Sequence, residues 1–201
     1  MGILDFLFPI FCLECKKQGK YLCETCIEKV LDGTFGVNNF AIFKYKGVVK
    51  KAIVAIKYKF ASDVATELVD LAITRLNSKK FHDITLIPIP MHQISENFRG
   101  FNQSILLGEK IAKKLNWKFI PDLLIKTKNT KHQVGLKGDD RRKNLKRVFE
   151  VNPKYLSNKL NINSLILLFD DVYTTGTTIK EAKRVLNNNG FKKVYSLTIA
   201  R

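Results

Sequence analysis

The stretch LILLFDDVYTTGTT, residues 165–178, constrains this chain more than any other. Its five leading apolar residues, 165–169, form the continuous run expected of a strand buried in a parallel sheet. Two adjacent carboxylates, Asp170 and Asp171, end the run, and Val172, Tyr173, Thr174, Thr175, Gly176, Thr177 and Thr178 follow. Beyond them Ile179, Ala182, Val185 and Leu186 recur at helical spacing. The predicted order is strand, acid pair, hydroxyl-rich loop, helix. In open α/β sheets, ligands bind at the carboxyl ends of the strands. A loop entering a helix turns free N–H groups outward, and the helix dipole favours an anion there. Gly176 lets the backbone approach closely, and the threonine hydroxyls add donors. Such a loop suits a phosphate. The two carboxylates repel phosphate and suit neighbouring hydroxyls, as on a ribose, or a Mg²⁺ held with them. One ligand with a phosphate beside a sugar diol meets both demands.

All four cysteines lie near the N-terminus, Cys12, Cys15, Cys23 and Cys26, spaced C-x2-C-x7-C-x2-C. Two such knuckles place four thiolates where a tetrahedral Zn²⁺ takes them. The alternative is a pair of disulfides, which needs an oxidising compartment. Residues 3–13 are apolar but broken by Asp5 and Pro9, with no basic lead and no small-residue cleavage site. No signal peptide is expected there, and packing on the domain is expected instead. Four thiolates leave no open coordination position, so this zinc would organise a fold and not catalyse.

Charge sets the class of partner. Thirty-five basic against 18 acidic residues leave +17, which points to a polyanion: nucleic acid, an acidic membrane or phosphorylated ligands. Residues 40–60 carry six lysines and no acid, and residues 110–160 carry 15 Lys/Arg against 4 Asp/Glu. Lys50, Lys51, Arg141, Arg142 and Lys143 are the candidate contacts to single-stranded nucleic acid. Trp117, Phe119, Phe149 and Tyr155 interleave with the charge, as stacking rings would, although core packing explains most such rings. No run is long enough to span a membrane, so an integral membrane protein is not expected.

The remaining pattern is α/β. Residues 40–45 alternate like a strand. Gly47 opens a helix through Val48, Ala52, Ile53 and Ile56, and a second helix is predicted over 61–76. Residues 84–89 form a strand ending in Pro-Ile-Pro. Arg99-Gly100-Phe101-Asn102-Gln103 reads as polar and turn-like before a helix reaching Leu115. A short helix is predicted over 139–149. Asn187, Asn188, Asn189 and Gly190 stop the last helix, with the glycine left-handed, before a final strand over 194–199.

A hydrophobic run followed by Asp-Asp-Val-x-Thr-Thr-Gly-x-Thr resembles the phosphoribosyl pyrophosphate (PRPP) motif of type I phosphoribosyltransferases. The resemblance implies a central, mostly parallel sheet flanked by helices. It puts Asp170 and Asp171 on the ribose hydroxyls, residues 172–178 around the 5′-phosphate, and Mg²⁺ beside PRPP. It also implies that His92 and Arg99, in the loop after an early strand, meet the pyrophosphate, and that the basic segment after residue 125 is a hood loop. Taken with the cysteine pairs, Lys57-Tyr58, Arg99-Gly100-Phe101-Asn102-Gln103, and a loop with Thr130, Gln133, Arg141 or Arg142, and Asn144, the chain resembles the ComF competence family over about residues 8–201. That resemblance implies a zinc finger over residues 1–36 and a phosphoribosyltransferase-like domain over 37–201. It also implies a cytoplasmic role in DNA uptake, with other competence proteins at the inner membrane as partners. Two positions depart from the family pattern. Ser95 stands where an arginine is common, and Lys126 replaces an arginine that would hold phosphate in two-point geometry. Three activities fit: handling of single-stranded DNA, transfer of phosphoribose to an acceptor with Asp170, Asp171 and Arg99 in the catalytic site, or sensing of PRPP without turnover.

Overall fold

The computed structural model describes residues 9–31, 38–59, 61–76, 83–127, 148–155 and 164–201. In chain order these form α1 (Glu24–Glu28), β1 (Asn39–Phe43), α2 (Gly47–Lys59), α3 (Ser62–Arg75), β2 (Ile84–Pro88), α4 (Gln93–Arg99), α5 (Gln103–Leu115), β3 (Lys118–Phe119), β4 (Leu124–Lys126), β5 (Phe149–Val151), a 3₁₀ turn (Pro153–Tyr155), β6 (Leu165–Val172), α6 (Thr177–Asn188) and β7 (Val194–Ala200). Five strands make one sheet in the order β1-β7-β6-β2-β3, and every pairing in it is parallel. This is the α/β architecture the sequence predicts, a parallel sheet flanked by helices.

The central strands β2 and β6 are buried on both faces, which is why they are mostly apolar. On one face Leu86, Leu167, Phe169 and Leu197 meet Ile53 and Ile56 of α2, Leu68 of α3 and Leu107 of α5. On the other, Ile87, Ile166 and Leu168 meet Ile179 and Leu186 of α6, and Leu124 and Phe149 of the antiparallel β4–β5 ribbon. Helix α5 lies close on the sheet because Gly108 offers no side chain; a Cβ there would stand 3.0 Å from Leu86.

Neighbouring β2 and β6 lead in opposite directions. From β2 the chain passes through α5 to β3 on one side, and from β6 through α6 to β7 on the other. Loops that part in this way open a crevice at the carboxyl ends of the two strands.

Several boundaries differ from the predicted ones. Strand β6 continues through both aspartates to Val172, because Asp170 and Val172 pair with Thr198 and Ala200 of β7. The stretch 90–100, which the resemblance puts in a loop, contains α4, whose first turn His92 caps by accepting from the Ile94 amide through Nδ1 at 3.2 Å. Phe149, read as the end of a helix, opens β5, and residues 139–147 lie outside the described residues. Gly190 is left-handed, with φ of 92°, as expected.

The cysteine segment is fastened to the sheet's helical layer. Cys12, Leu22, Cys23, Cys26, Ile27 and Val30 share one apolar core with α2 and α3. Glu67 of α3 accepts hydrogen bonds from the amides of Tyr21 and Leu22, at 3.0 and 2.8 Å, just before the second knuckle. Glu14 and Glu24, inside the knuckles, pair with Lys51 and Lys20. Of the predicted N-terminal packing, residues 1–8 lie outside the described residues, while Cys12 and Leu13 do pack on the core. Among the described residues no helix is long and apolar enough to cross a membrane.

Candidate functional site

The end of β6 gathers the residues singled out in the sequence. Gly176 is left-handed, with φ of 71°, and precedes α6 as its N-cap, without any side-chain cap on the helix. The first-turn amides therefore face outward from a twelve-residue helix. Thr174 and Thr175 are exposed, Thr177 and Thr178 are half-buried, and the Thr175 and Thr177 hydroxyls lie 2.7 Å apart. Tyr173 is anchored by its amide on the Ala200 carbonyl, and its ring lies over Gly176. A Cβ on Gly176 would fall 2.0 Å from the Tyr173 hydroxyl, so no other residue fits this turn unless the ring moves.

The segment 99–104 connects the β2 loop to the first carboxylate. Asn102 caps α5 through the Ser104 amide at 2.9 Å and donates to the Ile89 carbonyl at 3.2 Å, fixing the helix on the end of β2. Arg99 donates to Gln103 at 2.6 Å, and Ser104 donates to Asp170 at 2.8 Å. Asn102, Gln103 and Ser104 are all buried. Ser104 was missed in the sequence, although it directly follows the Arg-Gly-Phe-Asn-Gln string.

Asp170 is electrostatically unusual. Burial drives its pKa up, and the charge of Asp171 adds to the rise. The bonds from Ser104 and the Asp171 amide, with the charge of Lys57, offset only part, leaving it at about 7. Facing it, Lys126 of β4 lies over the Phe149 ring at 6.0 Å; burial lowers its pKa and the Asp170 charge raises it. An unfolded aspartate titrates near about 3.9, so between there and about 7 the folded protein holds the extra proton. The stability this contributes is complete below the unfolded value and is lost as pH rises through the folded one. Asp170→Asn, neutral at every pH, is expected to flatten that fall; urea titrations on both sides of neutrality read it. An unchanged pH dependence in the variant would contradict this account.

Asp171 is 4% exposed and forms an ion pair with Lys57 of α2, Nζ to Oδ2 at 2.6 Å. That oxygen is buried and makes no hydrogen bond. Its partner is the Lys57 ammonium, a contact of charge and not of aligned hydrogen bonding. Two carboxylates at the end of β6 beside an uncapped helix start fit a ribose diol with Mg²⁺ next to a phosphate. Lys57 appeared in the sequence only as part of Lys57-Tyr58; its tie to Asp171 depends on the fold. Beside it, the Arg99 guanidinium lies 5.8 Å from the Tyr58 ring centroid. His92 is held as the cap of α4.

The second cluster is the cysteines. None is in a disulfide, and the Sγ atoms of Cys12, Cys15, Cys23 and Cys26 lie within 4.8 Å of one another. Tetrahedral zinc with Zn–S bonds of about 2.3 Å separates its sulfurs by about 3.8 Å, so the four could hold such an ion. Burial works against the Cys12 thiolate, but backbone hydrogen bonds from Cys23, Cys15 and Glu14 outweigh it and bring its pKa to about 6. Burial and the neighbouring thiols push Cys26 up to about 12.

Of the predicted nucleic-acid contacts, Lys51 is paired with Glu14 at 3.0 Å and Lys50 lies over Tyr45 at 6.0 Å. Arg141, Arg142 and Lys143, with Thr130, Gln133 and Asn144, lie outside the described residues. Phe149 is buried, and Trp117, Phe119 and Tyr155 pack against the cores, as the core reading of these rings expects.

No family model matches the chain. Several curated proteins are similar to it. Competence protein F of Haemophilus influenzae is 30% identical over 129 residues, 62% of this chain and 55% of that protein. Competence protein ComFC of Streptococcus pneumoniae is 27% identical over 179 residues, 89% of this chain and 74% of that protein. The DNA utilization protein YhgH of Escherichia coli O157:H7 is 28% identical over 151 residues, 73% and 64%. The chain thus aligns with little more than half of the first of these. Among solved structures, adenine phosphoribosyl transferase from Trypanosoma brucei overlaps with a TM-score of 0.41 at 18% identity, over 86% of this chain and 64% of that one. That overlap is too loose to carry an argument about the site.

Proposed function

We propose, for a chain that is a homologue of the ComF, ComFC and YhgH proteins, that it binds PRPP in the crevice between β2 and β6 and acts with single-stranded DNA during DNA uptake. The observation that carries the PRPP part is the carboxylate pair Asp170 and Asp171 at the end of β6, followed by the uncapped start of α6. Asp170 and Asp171 would take the ribose hydroxyls and a Mg²⁺. Residues 172–178, chiefly Thr174, Thr175, Gly176, Thr177 and Thr178, would hold the 5′-phosphate through amides and hydroxyls. Arg99, at the end of the β2 loop, would meet the pyrophosphate. The four cysteines would hold a structural Zn²⁺.

The DNA part draws on the +17 charge and on the names of the relatives. In this reading the strand is met on the cytoplasmic side, with the protein at most peripheral to the inner membrane beside other competence proteins. The decisive assay incubates the protein with PRPP and Mg²⁺, with and without single-stranded oligonucleotide, and measures both binding and pyrophosphate release. Binding of PRPP and of the oligonucleotide, weakened by salt in the second case, is the expected result. Release of pyrophosphate adds transferase activity, in which preorganised cations stabilise the leaving group. Absence of PRPP binding removes the proposal.

A further inference from the structure

Among the described residues the large exposed hydrophobics are Phe11, Val54, Tyr58, Ile94 and Phe98, and four of these five lie on α2 and α4. Val54 and Tyr58 are four residues apart on α2, 41% and 72% exposed; Ile94 and Phe98 are four apart on α4, 60% and 95% exposed. Side chains at that spacing share a helix face. Arg99 joins the two helices by reaching over the Tyr58 ring from the end of α4. Single exposed apolar residues need no explanation, but two pairs on neighbouring helices do. The patch borders the candidate site, because Lys57, next to Tyr58, pairs with Asp171, and Arg99 is tied through Gln103 to the helix that carries Ser104.

The setting selects the occupant. Residues 40–60 hold six lysines and no acid, and Glu96, half-buried, is the one acid on α4. Rings among cations fit a strand with an anionic backbone and flat bases, since every base offers a π-face and the cations follow the phosphates. We propose that Tyr58 and Phe98 form a stacking platform for the bases of single-stranded nucleic acid. This rests on the DNA reading above and deepens it, by placing the strand at the mouth of the β2–β6 crevice.

Stacking and charge respond differently to salt, which gives the test its discrimination. Titrate the full chain with a mixed-sequence oligonucleotide and with an abasic strand of equal length, at several salt concentrations. Tyr58→Ala and Phe98→Ala are each expected to weaken binding about 5- to 100-fold at every salt, leaving the salt slope unchanged. Tyr58→Phe and Phe98→Trp should keep wild-type affinity. The abasic strand should bind wild type weakly and should not distinguish wild type from the alanine variants. Circular dichroism spectra and melting temperatures like those of wild type would show that the variants fold. Oligonucleotide binding by wild type that the alanine variants retain in full overturns the platform and leaves the DNA reading standing. Failure of wild type to bind at any salt overturns both. Loss in the variants of self-association or of binding to anionic vesicles, with oligonucleotide affinity intact, assigns the patch to another occupant and overturns the platform as well.

Discussion

Stripping the zinc proposed for the cysteine cluster, or replacing Cys15 by Ser, is expected to unfold the knuckles and to lower the stability of α2 and α3 with them. Cys15 is exposed, so its loss leaves no cavity and isolates coordination from packing; Cys26→Ser, at a buried position, adds a packing defect. Structural zinc contributes about 10–16 kcal/mol of apparent binding free energy in small zinc fingers, nearly all of it as folding free energy. Here the segment is also held by Glu67 and by the shared apolar core, so part of the fold should survive. One zinc ion per chain by elemental analysis, and a melting transition that a chelator lowers, are the expected results. A metal-free preparation that melts at the same temperature as the wild type would refute the zinc assignment.

The second large effect is expected at Lys57. Asp171 lies at the carboxyl end of β6, almost wholly buried, and Lys57 supplies the cation that faces its Oδ2 oxygen. Lys57→Met keeps most of the side-chain volume and removes that charge. A buried ion pair broken on one side typically costs about 3–5 kcal/mol, because the remaining charge has lost its partner. Lys57→Met combined with Asp171→Asn should restore most of the loss, since no charge is then left unpaired. Denaturant titrations of the three variants measure it. A Lys57→Met protein as stable as wild type, or a double variant worse than the single, would show that the pair does not act as described.

Local features were legible in the sequence and distant ones were not. The acid pair, the threonine loop and the helix after it lie within a few residues, and their types state their chemistry. Two cysteine pairs announce a ligand set in the same way. The extension of β6 through both aspartates could not be read, because it depends on the register with β7. Helix α4 was hidden for a different reason. It is short and polar, and its apolar residues Ile94 and Phe98 face solvent, so no buried stripe marks it. Lys57 with Asp171, Ser104 with Asp170, and Glu67 with Tyr21 and Leu22 join parts of the chain far apart in sequence. Each of these partners is an ordinary residue until the fold brings it to its counterpart.

Calorimetric titration of PRPP with Mg²⁺ into wild type and into the Asp170→Asn/Asp171→Asn double variant tests the central claim most directly. The account predicts saturable binding to wild type, and a loss in the variant of at least about 1.5–3 kcal/mol, the scale of one hydrogen bond to a charged group. Equal affinity in the two proteins, or no binding to wild type, would contradict it.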